Sequence, residues 1–537
     1  MMDGSLSYPA RDYVRRQRWI DALTAAAIVL VTLASASALA LGISPLIPLA
    51  LLTVAGGSVA IGVLWRRPVR IVYLLVLCAL VVEQYAIVGL DPVTTHIPFY
   101  QTLSGAFRIP VSVSPAELIL LLGIAAVLLP PLARKRRPSG FYRGALFGPM
   151  MFFLLAIVVA FLNGFLGVFA SSGYWQNAAW AEGRSFVYLI AAYVLASNLV
   201  VTREDLTPIV WILVLGLGFK GFQGIQNYVS EQQQGLHLEA ITAHEDVLFY
   251  AAFFLFLAAL FVYRGPRRLR KVMLWCLPAL AFTDLATSRR IAFFVLGAGA
   301  LVFAAALFKS RKRLFMRIAP PAVVLLTVYA VIFWNHPYNT VGQPIRAFRS
   351  QFGFADARDQ SSDQWRVLEN QNITLNIRQA GLTGLGFGRQ YTFYVAEPNL
   401  LAVDPTTGQT TGFVYWTYIT HDSVFWVWMK MGVLGFVAFW YLIGSAVVVG
   451  IITVRRLNDG YLRAIALTTA GLVVMQVVFS YGDLGLTYSR TMILLGCMLG
   501  VLVRLPELDT PPEPVPVPAS TPRAVERTWS QVGASTA

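Results

Sequence analysis

The sequence predicts an all-α membrane protein: a polytopic bundle of about fourteen transmembrane helices with a large, partly helical extracytoplasmic loop. Three observations carry this prediction. Of 537 residues, 57% are hydrophobic and only 13% charged, and the mean hydropathy is +0.63, whereas ordinary soluble domains carry about 25% charged residues. The apolar residues come in repeated runs of about 18–25, the length that crosses a ~30 Å hydrocarbon layer as a helix. The cations gather in short segments between those runs, as cytoplasmic loops require. The net charge of +15 is therefore mostly a topology signal and not a nucleic-acid footprint.

Taken in order, spans are expected at 20–42 and 46–64, after the cations Arg11, Arg15, Arg16 and Arg18. The first run resembles a signal peptide, but its spanning length and the second run close behind it fit an uncleaved anchor. Further spans follow at 71–90, 115–133, 145–170, 185–201, 209–228, 246–263, 272–287, 291–308 and 318–335, then at 423–453, 464–481 and 489–503. Alternate connections hold the basic clusters Arg66/Arg67/Arg70, Arg134–Arg143, Arg264–Lys271, Lys309–Arg317 and Arg455–Arg463, which places both termini in the cytoplasm. The chain thus divides into a cytoplasmic N-terminus (1–19), eleven spans (20–335), an extracytoplasmic loop (336–422), three spans (423–503) and a Pro-rich cytoplasmic tail (504–537) expected to be disordered. Cys78, Cys276 and Cys497 all fall inside apolar runs at no metal-ligand spacing, so they read as packing residues.

The loop from His336 to Asp422 is too long for a simple link between helices and is the natural seat of a function. Ser361-Ser362-Asp363 as a cap, Trp365, Leu368 and Leu375 at helical spacing, and Gly381 as a stop predict an amphipathic helix over 363–380, with Arg366 in its first turns. Glycines 381, 384, 386 and 388 then form either a plain turn or a segment whose backbone approaches a ligand; the strand and Lys-Ser/Thr of a nucleotide loop are missing. His421-Asp422-Ser423 heads the next span, so His421 is either an interfacial histidine beside an aromatic belt or a base. Thr287-Ser288-Arg289-Arg290 is a tight outside hairpin whose cations either snorkel or clamp phosphate oxygens. Glu83, Glu117, Lys220, Asp284 and Lys430 lie in or near spans, and either line a cavity or form buried pairs. The run His237–Glu239–His244–Glu245–Asp246 matches no zinc-hydrolase pattern.

In this order, three pieces resemble the O-antigen ligase and O-antigen polymerase superfamily of bacterial envelope glycosyltransferases. They are Thr287-Ser288-Arg289, Arg366 followed by Gly-Leu-Thr-Gly-Leu-Gly-Phe-Gly, and His421-Asp422-Ser423 leading to Lys430-Met-Gly-Val-Leu-Gly. The resemblance implies that Arg289, with Arg290, and Arg366 hold the diphosphate of a polyprenyl-linked glycan, and that His421 assists the acceptor hydroxyl as general base. Arg290, Lys430, Asp422 and Arg389 complete the implied substrate-binding set, and no metal or cofactor is implied. Asp422 departs from the family's usual Asn. The implied partners are an undecaprenyl-type diphosphate-linked glycan donor, a glycan, lipid or wall-polymer acceptor, and membrane lipid. The implied place is the plasma (inner) membrane, with the active site on the extracytoplasmic face. Polymerase and ligase differ only in the acceptor. A transporter or flippase of lipid-linked sugars is the alternative, since hydropathy and intramembrane charges would look the same.

Overall fold

The computed structural model describes residues 61–509 apart from 86, 88, 104–112, 130–140, 168–173, 236–240, 337–339 and 397–416. The expected span at 20–42, residues 46–60 of the span expected at 46–64, the Pro-rich tail beyond Asp509, and His237 with Glu239 lie outside the described residues. All regular elements among the described residues are helical, with an isolated antiparallel bridge between Tyr174 and Arg389.

The bundle helices are α1 (Val69–Val81), α2 (Pro115–Leu128), α3 (Phe147–Leu166), α4 (Gln176–Leu199), α5 (Arg203–Gln234), α6 (Asp246–Val262), α7 (Arg267–Ala286), α8 (Arg290–Ser310) and α9 (Lys312–Phe333). Two helices, α10 (Gln343–Ser350) and α11 (Ala357–Ala380), belong to the long loop, and α12 (Ser423–Arg456), α13 (Gly460–Gly482) and α14 (Ser489–Asp509) return to the bundle. Every expected span from 71–90 onward has a helix at its place, and among the described residues seven helices are long and apolar enough to cross a membrane. The chain is a multi-pass membrane protein.

Helix ends follow local chemistry. Ser114 and Glu117 form a reciprocal capping box at α2, and Thr202 and Asp205 another at α5. The loop helix α11 starts two turns earlier than the sequence predicts, because Asp356 accepts from the Asp359 N–H at 2.7 Å and Ser361-Ser362-Asp363 lie inside the helix. The last helix continues past the expected 503 to Asp509, whose carboxylate accepts the backbone N–H groups of Asn458 (2.6 Å) and Asp459 (3.0 Å).

The core is built on α13 and α14, whose apolar windows are 78% and 89% buried. Helix α14 packs mainly on α4 and also on α1, while α13 packs on α12, α8 and α6. Gly496 and Gly500 make the α14–α4 approach possible: a Cβ at Gly496 would stand 2.3 Å from the Leu189 carbonyl oxygen, and one at Gly500 2.6 Å from that of Tyr193. By contrast α9 has no buried residue and packs on α8.

The positioning device for the long loop is a break in α12. Gly432 has φ 65° and ψ −165°, which ends the first turns of α12 and restarts the helix beyond. The glycine-rich segment fills the gap: Leu385 N–H donates to the Met429 carbonyl (2.9 Å), Gly386 N–H to that of Lys430 (2.8 Å), and Val433 N–H to that of Leu382 (2.9 Å). Carbonyls freed by the break are thus satisfied by another stretch of the same chain, as irregular backbone inside a membrane protein requires. Gly381, Gly384, Gly386 and Gly388 all have φ between 63° and 82°. A Cβ at Gly386 would fall 2.1 Å from the Gly164 nitrogen in α3. These glycines let the segment wedge between α3 and α12.

Candidate functional site

The site collects where α6, α8, α12 and α14 begin and α7 and α13 end. His421 precedes α12, and its position is set by α11. Glu369 accepts from the His421 backbone N–H at 3.0 Å and stands 3.2 Å from Nδ1, so one buried carboxylate fixes both the backbone and the ring. Trp365, one turn earlier on α11, meets the imidazole edge to face at 4.9 Å. A carboxylate can only accept, so Nδ1 carries the hydrogen and the ring lone pair sits on Nε2. The His421 side chain keeps 16% exposure while that of Glu369 keeps 2%.

Asp422 caps α12, accepting from the Phe425 N–H at 3.0 Å. Burial pushes its carboxyl up to about 6, with the Glu369 charge adding to the rise and the Phe425 and Val424 N–H groups opposing it. Ser423 donates to the carbonyls of Ser480 (2.9 Å) and Asp483 (3.1 Å), which ties the head of α12 to the connection between α13 and α14.

That connection supplies Asp483, a residue the sequence reading did not select. Burial acts to raise its carboxyl, yet His244, Arg289 and His421 together hold it well below the usual carboxylate range. One carboxylate therefore feels the histidine of the long loop, the arginine of the α7–α8 hairpin and the histidine ahead of α6. His244 Nδ1 is 3.1 Å from Asp483 Oδ2, and the Arg289 guanidinium lies along the same ring, Nη1 2.7 Å from Nδ1 and Nη2 2.5 Å from Nε2.

Arg289 and Arg290 part company. Ser288 adopts φ 55° in the hairpin, and Arg289 sits in extended backbone as the residue before α8. Arg290 turns instead to the loop helix, donating to both oxygens of Asp363 at 2.8 and 2.6 Å and lying 3.4 Å from Asp359. Arg346 also reaches Asp359, at 3.0 Å. Arg290 thus straps α8 to α11.

Arg366 lies on the same face of α11 as Ser362 and Glu369, by i−4 and i+3 spacing. Its Nη1 is 3.2 Å from the Ser362 hydroxyl and 4.0 Å from Asp363, while the buried Nε finds no acceptor among the described residues. Such a guanidinium keeps donors in hand for a planar oxyanion.

Lys430 and Arg389 sit deeper in the same construction. The Lys430 ammonium is fully buried, 2.6 Å from Glu182 of α4, and donates to the Arg389 carbonyl. Glu182 also accepts from the Gly388 N–H. Arg389 donates through Nε to the Gly164 carbonyl at 2.7 Å, near the C-terminus of α3, and its guanidinium covers the Tyr174 ring. Both residues brace the glycine-rich segment against α3, α4 and α12.

A second buried network underlies the site. Arg490 is fully buried in the first turn of α14, 2.8 Å from Glu245 and 2.8 Å from Asp246. It also donates to the carbonyls of Ala79 and Leu80 at 2.9 Å each. Lys220 lies 3.2 Å from Asp246 and pairs with Glu83. Glu117 serves locally, receiving the Tyr188 hydroxyl (2.8 Å) and the Trp180 indole N–H (2.7 Å). Asp284 is buried in α7. No group of three or more potential metal ligands exists among the described residues, and Glu245 and Asp246 belong to the ionic network.

Glu369 and Asp483 were missed by the sequence reading, and His244 was considered only for a metal. Glu369 had a signal, its place one turn after Arg366. Asp483 is a lone acid between the last two spans, and nothing in the sequence pairs it with His244.

Residues 275–440 match the sequence model of a family described as O-Antigen ligase, a stretch that contains Arg289, Arg290, Arg366, Glu369, Arg389, His421, Asp422 and Lys430. His244 and Asp483 lie outside it. No curated protein matches the chain.

Proposed function

From the premise of an O-antigen ligase domain at residues 275–440, we propose that the chain moves a preassembled glycan from a polyprenyl diphosphate carrier to an acceptor hydroxyl. The reaction takes place on the outer face of the plasma membrane and serves a surface-polysaccharide polymerase or ligase. The observation that carries this reading is His421 held at its backbone N–H and at Nδ1 by Glu369, which lies on the same face of α11 as Arg366, with Arg289 and Asp483 close enough to share its electrostatic field.

The chemistry follows from these atoms. The acceptor hydroxyl gives its proton to His421 Nε2 as its oxygen bonds to the anomeric carbon. The bond from that carbon to the phosphate oxygen breaks, and the diphosphate departs with the electron pair. Glu369 and Asp483 stabilise the imidazolium that forms, and the guanidinia of Arg289 and Arg366 meet the negative charge growing on the leaving group. A single displacement inverts the anomeric centre. Arg290, Asp422, Lys430 and Arg389 have their side chains engaged with the protein and act as positioning residues.

The test is transfer by the purified protein in lipid vesicles, with the native polyprenyl-diphosphate glycan as donor and the products resolved on a gel. A ladder from donor alone marks a polymerase; a product only when a core lipid or wall polymer is added marks a ligase. His421→Ala is expected to lower the rate by about 10²–10⁴-fold. Absence of transfer with every acceptor, or an unimpaired His421→Ala, would overturn the proposal.

A further inference from the structure

We infer that His244 is a positioning residue for Arg289, and that Asp483, His244 and Arg289 act as one relay that presents the Arg289 guanidinium to the leaving diphosphate. The inference rests on the function proposed above and adds to it a residue outside the matched domain.

Asp483 Oδ2 stands 3.1 Å from His244 Nδ1, and a carboxylate oxygen accepts, so the ring hydrogen sits on Nδ1. In that tautomer the ring lone pair is on Nε2, and Arg289 Nη2 lies 2.5 Å from it. Nη1, at 2.7 Å from Nδ1, faces a nitrogen whose lone pair is not available, so the directed bond is the one to Nε2. The Asp483 side chain is 5% exposed and that of His244 46% exposed, so the relay runs outward from a buried carboxylate through the imidazole to the guanidinium.

The backbone of His244 is held as firmly as its ring. The next two residues, Glu245 and Asp246, are both gripped by the fully buried Arg490, and Asp246 also by Lys220. Tyr488 completes the frame, its ring 6.4 Å from that of His244 and its hydroxyl 3.3 Å from Asp483 Oδ1. The neighbouring Arg290 shows the contrast: a bidentate carboxylate partner commits it to the loop helix. A long arginine side chain loses rotamer freedom when it is fixed. A ring nitrogen that fixes Arg289 in advance removes part of that cost from ligand binding.

The experiment measures binding of farnesyl diphosphate to the full chain in lipid nanodiscs by titration calorimetry, with turnover followed separately. His244→Ala is expected to weaken binding about tenfold, and His244→Gln, whose amide oxygen reaches the Nε2 position, to stay within about threefold of wild type. His244→Asn keeps a donor toward Asp483 and loses the acceptor for Arg289, so it should resemble the alanine variant even where alanine impairs folding. In an Arg289→Ala background, His244→Ala should add less than about twofold, because both changes remove the same contact. The relay is overturned if the asparagine and alanine variants bind like wild type, or if their loss adds in full to that of Arg289→Ala. Should wild type and Arg289→Ala bind the probe equally, or neither bind it, the diphosphate-binding reading itself fails and the relay fails with it.

Discussion

At the scale of single residues, adjacent side chains of one type do different work because the backbone sends them apart. Arg289 faces His244 and the Asp483 charge; Arg290 closes a bidentate pair with Asp363. Asp422 offers a pH test. Its carboxyl is raised to about 6 by burial, against about 3.9 in an unfolded chain. Between those values the native chain holds a proton that the unfolded one has released, so stability falls as pH rises from about 4 to about 6 and stays lower above. Asparagine keeps the acceptor for the Phe425 N–H and never ionises. Asp422→Asn should therefore melt close to wild type at pH 4 and above it at pH 7, by at most about 3 kcal/mol of stability. A melting difference that does not change with pH would contradict this account.

At the scale of elements, the break in α12 and the glycine-rich segment form a single device. Met429, Lys430 and Leu382 give their carbonyls to Leu385, Gly386 and Val433 across the gap. A side chain at Gly432 meets two obstacles, a φ of 65° with ψ −165° and a Leu382 carbonyl oxygen 2.2 Å from the added Cβ. Gly432→Ala should cost at least about 2 kcal/mol, read as a lower melting temperature. The four glycines before Arg389 were legible as a special segment, but not what they approach. Glycine permits positive φ, and only the fold shows that the close neighbours are α3 and α12.

At the scale of the whole molecule, buried ion pairs connect helices far apart in the sequence: Lys430 with Glu182, and Arg490 with Glu245 and Asp246. Taking one partner from such a network leaves uncompensated buried charge. Arg490→Met should destabilise the protein by about 3–5 kcal/mol, measured by thermal unfolding in detergent; a melting temperature equal to wild type would show that the network does not hold the bundle. The same change should weaken farnesyl diphosphate binding, since Glu245 and Asp246 fix the backbone of His244.

The sequence by itself determined the helical class, the places of the helices on described residues and the helix within the long loop, and it singled out Arg289, Arg366 and His421. Hydrophobic runs and charge clusters are local properties, and a membrane helix satisfies its own backbone, so composition along the chain reports them directly. Only the tertiary structure decided the partners. Glu369 reaches His421 across 52 positions, Asp483 reaches His244 across 239, and Arg490 reaches Glu245 across 245. Those pairings depend on which helix ends meet, and helix ends meet through packing of glycine-lined faces that leaves no local periodic signal.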